Sequence, residues 1–387
     1  MTTPGRTIYL DNAATSFPKP REVLEEMIDI YSRLGVSPGR GSYDLATEAE
    51  ERVMGVRRQL CQFFGGSDPE RVIFSYNATD ALNTLIQGLI RPGSHVISSR
   101  LEHNSVLRPL HHFSEQGIIH LDLVSFSPEG FIDPKTVAEA IKPSTGFVIL
   151  THASNVLGAV QPVERIGAMC RDRGIPLILD VTQTAGLLPI RMKEWGVDAV
   201  AFTGHKSLLG PTGIGGLVMS PALDVRTTRF GGTGRESLSL AHTQTYPHRL
   251  EAGTINVTGI FGLSAGLHYL SKHGMEKLLA KELDLAKRLH DGLKMIKGVR
   301  VYGSRRRDEH VPIVLCNVDG IDPEDVSNIL DGDFGITARA GLHCAPLVHQ
   351  DLGTSPKGGV RFSLGPFNTA DEIERVLEAM AAISRIK

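Results

Sequence analysis

Between residues 72 and 219, short apolar runs alternate with longer amphipathic stretches, and no other feature narrows the possible folds so far. The runs fall at 72–75, 95–99, 120–124, 147–151, 177–180, 199–203 and 216–219. Each is too short for a buried helix and is bounded by turn-forming residues, the signature of a strand covered on both faces. Helix-like segments at 80–90, 106–116, 136–141 and 163–173 lie between most of them. The third opens with Asp133-Pro134, a cap residue followed by proline at the first helical position. Strands and helices in such alternation predict an α/β chain with a doubly wound, mostly parallel sheet. Sheets of this kind bind ligands beyond the carboxyl ends of their strands. Three runs end there in potentially reactive residues: Thr151-His152-Ala153-Ser154-Asn155, Asp180-Val181-Thr182-Gln183 and Thr203-Gly204-His205-Lys206.

The flanks differ in style. A helix is predicted at 20–34, where Val23, Leu24, Met27, Ile28 and Tyr31 keep helical spacing. A glycine-rich loop covers 35–43, and a charged amphipathic helix at about 46–64 closes on Gly65-Gly66. The stretch 222–258 is rich in Gly, Ser and Thr and is read as an active-site or interface loop, followed by one helix leading into another over 260–298. Strands are expected at 299–302, 311–318, 336–340 and 359–364, with a helix from Pro323. A last helix starts at Thr369, where Glu372 completes a capping box. The domains expected are an N-terminal segment (1–20) joining the small domain, a large domain (21–258), and a small C-terminal α+β domain (259–387).

Composition excludes some functions. Over 387 residues the formal net charge is −2, which gives no electrostatic case for nucleic acid or an anionic membrane surface. No apolar run approaches the roughly 20 residues that span a bilayer. Residues 1–9 lack the basic-then-apolar order of a secretory signal, so a cytoplasmic enzyme is expected. The four cysteines are scattered and are read as thiols. Cys61, Cys170 and Cys316 sit among apolar neighbours, as core residues do, whereas Cys344 does not.

Lys206 follows a buried strand and precedes the turn Gly210-Pro211-Thr212-Gly213. Poor solvation there would lower its pKa and make it a candidate amine nucleophile. A Schiff-base lysine serving pyridoxal phosphate needs a carboxylate for the pyridine nitrogen, and Asp180 is placed to supply it. Tyr76-Asn77-Ala78-Thr79-Asp80, between a strand and a helix N-terminus, suits a phosphate. His103 is a candidate ring partner, and Arg361 a candidate clamp for a carboxylate.

Four motifs together, Tyr9-Leu10-Asp11-Asn12-Ala13-Ala14-Thr15, His152-Ala153-Ser154-Asn155-Val156-Leu157-Gly158, the Lys206 segment with its turn, and Glu251-Ala252-Gly253-Thr254, resemble the class V aminotransferase group of fold-type I pyridoxal phosphate enzymes. Within that group the chain is most similar to cysteine desulfurases and selenocysteine lyases of the SufS/NifS type. The resemblance implies a large domain with a seven-stranded, mostly parallel sheet flanked by helices. It also implies that Lys206 binds the cofactor and moves protons at the substrate Cα, that Asp180 pairs with the pyridine nitrogen, and that Gln183 meets the ring hydroxyl. His103 would stack on the ring and act as an acid or base. Ala78, Thr79, Thr203 and His205 would bind the phosphate. Thr254 would reach the phosphate of the other subunit, giving a homodimer with shared active sites. Asn155, Arg361, Asn12 and Arg339 would bind the substrate.

Arg339-Ala340-Gly341-Leu342-His343-Cys344-Ala345 is similar to the RxGxHCA loop that carries the catalytic thiol in SufS-type enzymes. Arg339 and His343 are expected to lower the thiol pKa, on an exposed, mobile segment. The substrate implied is L-cysteine or L-selenocysteine, with a persulfide formed on Cys344, alanine released and a sulfur-acceptor protein as partner. The nearest rival reading is a selenocysteine lyase or another C–S or C–Se lyase on the same scaffold, followed by an ordinary aminotransferase and a catalytically silent sulfur-transfer partner. The chain departs from the group's common pattern at Asp180-Val181-Thr182-Gln183, in a lysine loop one residue longer, at Leu342 where histidine is frequent, and at Gly231-Gly232-Thr233-Gly234-Arg235, whose arginine would touch substrate or a partner subunit. His343, Cys344 and His349 lack a fourth ligand for zinc, and no metal site is expected.

Overall fold

A computed structural model describes residues 7–236, 238–303 and 309–386. The first part of the chain forms β1 (Ile8–Tyr9), α1 (Arg21–Leu34), α2 (Asp44–Phe63), β2 (Val72–Ser75), α3 (Ala78–Leu89), β3 (Ser94–Ser99), α4 (Asn104–Glu115) and β4 (Ile119–Val124). Then follow α5 (Pro134–Ala140), β5 (Thr145–Thr151), α6 (Val163–Asp172), β6 (Leu177–Asp180), α7 (Met192–Trp195), β7 (Ala199–Thr203) and β8 (Gly215–Met219). Seven of these strands make one sheet in the order β2-β8-β7-β6-β5-β3-β4. Only β8 runs against the rest, pairing antiparallel with both β2 and β7.

The apolar runs are continuous because alternate residues serve opposite layers. In β7, Val200 and Phe202 enter a core shared with α1, α2 and α6, while Ala199 and Ala201 face α3 and α4. β6 divides likewise, Leu177 and Leu179 to one side and Ile178 to the other. The chain passes from β3 outward to β4 and returns to the other side of β3 as β5, so the strand order reverses between β3 and β5. That reversal opens a crevice at the carboxyl ends of the strands.

The second part comprises α8 (Val257–His273), α9 (Met275–Met295), β9 (Val299–Tyr302), β10 (Ile313–Val318), α10 (Pro323–Phe334), β11 (Ile336–Thr337), β12 (Arg339–Gly341), α11 (Pro346–Asp351), β13 (Gly359–Ser363) and α12 (Ala370–Ile383). An antiparallel sheet, β12-β13-β10-β9, packs under α9, α10 and α12. The segment expected as one strand over 336–340 splits at Ala338: β11 pairs with β1, and β12 with β13. Through β1, Ile8 and Leu10 join the core of this second sheet. Helix α8 packs its Ile260, Phe261, Leu263 and Leu267 into the first core, whereas Leu285, Leu289 and Leu293 of α9 belong to the second. The capping box forms as expected, Thr369 Oγ1 accepting from Glu372 N at 3.3 Å. The stretch 222–258 carries no helix or strand before α8 among its described residues.

Candidate active site

The strands β5, β6 and β7 end side by side, and the residues just beyond them line a cavity of about 310 Å³. Lys206, Asp180, Asn155 and His103, from four separate strand ends, and Arg361, from within β13, all line it. Its size suits a small-molecule ligand.

The loop bearing Lys206 is held from outside. The His205 carbonyl accepts from Lys19 Nζ at 2.5 Å, Thr15 Oγ1 at 3.1 Å and Ser16 N at 3.2 Å. Ser16 Oγ donates to the Lys206 carbonyl at 2.9 Å. Leu209 closes the turn with φ of 61°, a conformation few side chains accept. Burial pushes the Lys206 amine down to about 8, and the Arg361 guanidinium adds to the effect while Asp180 opposes it. Asp180 is buried at the end of β6 and accepts from Thr182 N at 2.9 Å. Burial raises its pKa, partly offset by Thr182 and Lys206.

His103 caps α4. Its Nδ1 accepts from Ser105 N at 3.0 Å, so the ring proton sits on Nε2. Burial, then Lys206, lowers its pKa to about 4. It is therefore a neutral ring with one N–H donor, and an acid role would draw on that proton alone. Opposite, Asn77 caps α3 through Asp80 N at 3.0 Å. Ala78 and Thr79 begin the helix at the cavity wall, where the first N–H groups have no partner within the helix. Thr203 Oγ1 and His205 Nδ1 are buried there without a partner. Burial also holds His205 neutral, near 4. Gln183 Nε2 donates to the Ala13 carbonyl at 3.2 Å.

At the other end, Arg361 is only 1 % exposed and donates to Asp11 Oδ1 at 2.7 Å and to the Asn155 carbonyl at 3.0 Å. Among the described residues its Nε has no partner. The Asn155 amide donates to the His343 carbonyl at 2.7 Å. Arg339 lines the cavity, and its Nη2 lies 3.8 Å from Cys344 Sγ.

The expectations for Asn12 and for the loop of His343 and Cys344 change on the structure. Asn12 does not line the cavity: its amide donates to the Ser363 carbonyl at 3.1 Å and its oxygen accepts from Phe17 N at 3.3 Å, tying the N-terminal segment to β13. His343 cannot act as a cation on the thiol, because its ring is buried, turned toward His349, and held far below its ordinary pKa by burial and Arg361. The Cys344 loop is half-buried and anchored rather than exposed, with the Cys344 carbonyl accepting from Asn104 N at 2.7 Å. Thr254 and Arg235 line a separate cavity with Arg57 and His248, and Arg235 pairs with Glu50. Cys61, Cys170 and Cys316 are buried thiols, the last two pushed up to about 12 by burial.

Four contributing residues carry no signal in the sequence pattern. Asp11 neutralises Arg361, a partner that any buried guanidinium demands. Lys19 and Ser16 brace the lysine loop. Glu102, directly before His103, is buried with its carboxyl pushed up to about 8, accepting from Ser99 Oγ at 2.6 Å and Thr151 N at 3.0 Å.

The sequence profile of the family "Aminotransferase class-V" matches residues 8–376. The chain belongs to this family. A probable cysteine desulfurase of Methanothermobacter thermautotrophicus is 31 % identical over 383 residues, covering 97 % of this chain and 94 % of that protein. One of Pyrococcus abyssi is 33 % identical over 377 residues, covering 96 % and 92 %. The apo structure of a cysteine desulfurase from Thermococcus onnurineus superposes with a TM-score of 0.92 at 33 % identity, over 98 % of this chain and 95 % of that one. The cysteine desulfurase CsdA of Escherichia coli gives 0.87 at 27 % identity, over 97 % and 94 %. The fold is that of the fold-type I pyridoxal phosphate transferases.

Members of this family depend on pyridoxal phosphate, and the cavity suits it. Two buried polar atoms without a partner among the described residues and a helix N-terminus suit an anion, a buried aspartate suits a pyridinium, and an amine of lowered pKa lines the same cavity.

Proposed function

We propose that this protein is a cysteine desulfurase, releasing alanine from L-cysteine and taking the sulfur onto Cys344. The observation that carries the reading is the Arg339–Cys344 contact: one arginine both lines the Lys206 cavity and sits beside the thiol. The relatives named as cysteine desulfurases support it.

Each side chain then has work to do. Lys206 links the cofactor, which supplies an electron sink for charge left on the substrate Cα. Asp180 would hold a proton on the ring nitrogen. Thr203, His205 and the N–H groups of Ala78 and Thr79 would take the phosphate, Gln183 the ring hydroxyl, and the neutral His103 would pack on the ring. Arg361 offers its free Nε, with Asn155 beside it, to the substrate carboxylate. Lys206, its pKa lowered to about 8 by burial, removes the Cα proton. The Cys344 thiolate, facing the Arg339 guanidinium, attacks the substrate sulfur. An S–S bond forms as the C–S bond breaks, and the electron pair stays with the carbon fragment, which takes up protons and leaves as alanine. The persulfide sulfur then passes to an acceptor protein.

A homodimer completes this reading, with Thr254 of each chain serving the other's phosphate. Phe230, 75 % exposed, and Leu240, fully exposed, project from the 222–258 stretch and suit burial against a second copy. Four free thiols accord with a reducing compartment such as the cytoplasm. Among the described residues no helix is long and apolar enough to cross a membrane.

Product analysis from L-cysteine and L-selenocysteine, side by side, tests the proposal. Wild type should yield alanine from cysteine, and Cys344→Ala should lose that reaction while keeping the visible band of bound cofactor. Undiminished alanine formation by Cys344→Ala would contradict it, and selenide release that survives the substitution would favour a selenocysteine lyase.

A further inference from the structure

The turn that carries Cys344 holds two consecutive non-glycine residues in the left-handed region, His343 at φ 52° and Cys344 at φ 56°. Such a pair is sterically disfavoured and persists only where its surroundings enforce it. Two main-chain anchors are already described: Asn155 on the His343 carbonyl and Asn104 on that of Cys344. A third support is a buried chain of side chains that ends on the residue flanking the turn.

The direction of this chain follows from elementary donor logic. His343 Nε2 lies 3.0 Å from the Arg339 carbonyl, which can only accept, so Nε2 carries the proton. Burial keeps the ring neutral, so His343 Nδ1 must be an acceptor. His349 Nε2, 3.3 Å away, must then donate to it. That leaves His349 Nδ1 as an acceptor, and Thr354 Oγ1 stands 2.8 Å from it. His349 is itself fixed, with its carbonyl accepting from Thr354 N at 2.9 Å and Ser355 N at 3.1 Å. His349 is fully buried and His343 only 3 % exposed. Among the described residues neither histidine belongs to a metal-binding group.

The geometry points to His349 as a positioning residue that holds the Cys344 turn, and Arg339 with it, through the ring of His343. This inference rests on the reading of Cys344 as the thiol that takes the sulfur. His349 never reaches the cavity; it sets the polarity of a chain whose far end is the carbonyl of the arginine that faces the thiol. Removing it leaves His343 Nδ1 a buried acceptor with no donor, and the left-handed turn loses one of its supports.

Amide hydrogen exchange on the cofactor-loaded protein tests this without turnover. In His349→Leu, exchange over residues 339–345 should quicken about tenfold, the scale on which one left-handed residue's strain is released, while α12 is unchanged. His349→Gln, which restores an N–H near the position of Nε2, should return most of the protection. Thr354→Val, which keeps shape and removes the hydroxyl, should quicken the same peptide to a smaller extent. With L-cysteine, His349→Leu should lower kcat at unchanged KM and an unchanged visible band. Unaltered exchange over 339–345, or exchange raised equally in α12, would overturn the inference and leave His349 a packing residue. The assignment of Cys344 itself stands or falls on the Cys344→Ala products, so the two failures are distinguishable.

Discussion

Lys206 should cost the cofactor-free protein stability, and replacing it should therefore stabilise the fold. Its amine drops from an ordinary 10.5 to about 8, chiefly through burial, with Arg361 contributing and Asp180 only partly compensating. A fall of that size corresponds to about 3 kcal/mol against the charged form, and water in the open cavity reduces the expected effect to about 2–3 kcal/mol. The sign follows from proton binding. Between pH 8 and 10.5 the unfolded lysine holds a proton that the folded one has released, so stability rises with pH across that window. Below pH 8 the full penalty applies, and above 10.5 it is gone. Lys206→Met keeps the length and apolar stem and removes the charge. Paired urea titrations without cofactor should show Lys206→Met more stable by about 2–3 kcal/mol at pH 7, with the two proteins converging toward pH 10.5. A variant no more stable than wild type at pH 7, or a difference that does not shrink with rising pH, would refute the account of how this amine is tuned.

The buried pair Arg57–Glu251 closes with two bonds, 2.9 and 2.7 Å, and Glu251 also accepts from Phe74 N at 2.6 Å. Glu251→Gln strands a buried guanidinium and should cost about 3–5 kcal/mol, whereas adding Arg57→Met should recover part of the loss; equal melting temperatures for single and double variants would deny the coupling. A Cβ at Gly266 would collide with the Leu208 carbonyl, which is backbone and cannot turn aside. Gly266→Ala should thus weaken cofactor binding, read by spectral titration. Gly332→Ala on α10 meets nothing within 4 Å and should stabilise by about 0.5–1 kcal/mol in thermal unfolding.

The central sheet was legible because its strands are covered on both faces, so Val200-Ala201-Phe202 and Leu177-Ile178-Leu179 carry no polar interruption. The strand-end chemistry was legible for a related reason: Asp180 and Lys206 follow such runs directly. Allegiance of α8 was hidden, since its Gly259, Gly262 and Gly266 are buried along with its apolar residues and leave no polar face to orient it. The break at Ala338 depends on pairing with β1, more than three hundred residues away in sequence. Direction of a side chain is the recurring gap. Asn12 sits in a motif that suggests the cavity yet turns to β13, and His343 turns from the thiol because a left-handed backbone aims its ring at His349. Nothing in the pattern marks Lys19, between two prolines, as the brace of the lysine loop.

The central claim is that sulfur leaves the substrate for Cys344 across the wall of the Lys206 cavity. Mass analysis of the peptide containing Cys344, after brief incubation of cofactor-loaded protein with L-cysteine and no reductant, tests it directly. One added sulfur atom on Cys344, absent from Cys61, Cys170 and Cys316 and removed by a thiol reductant, is the predicted result. Alanine formed in the same sample with Cys344 unmodified would contradict it.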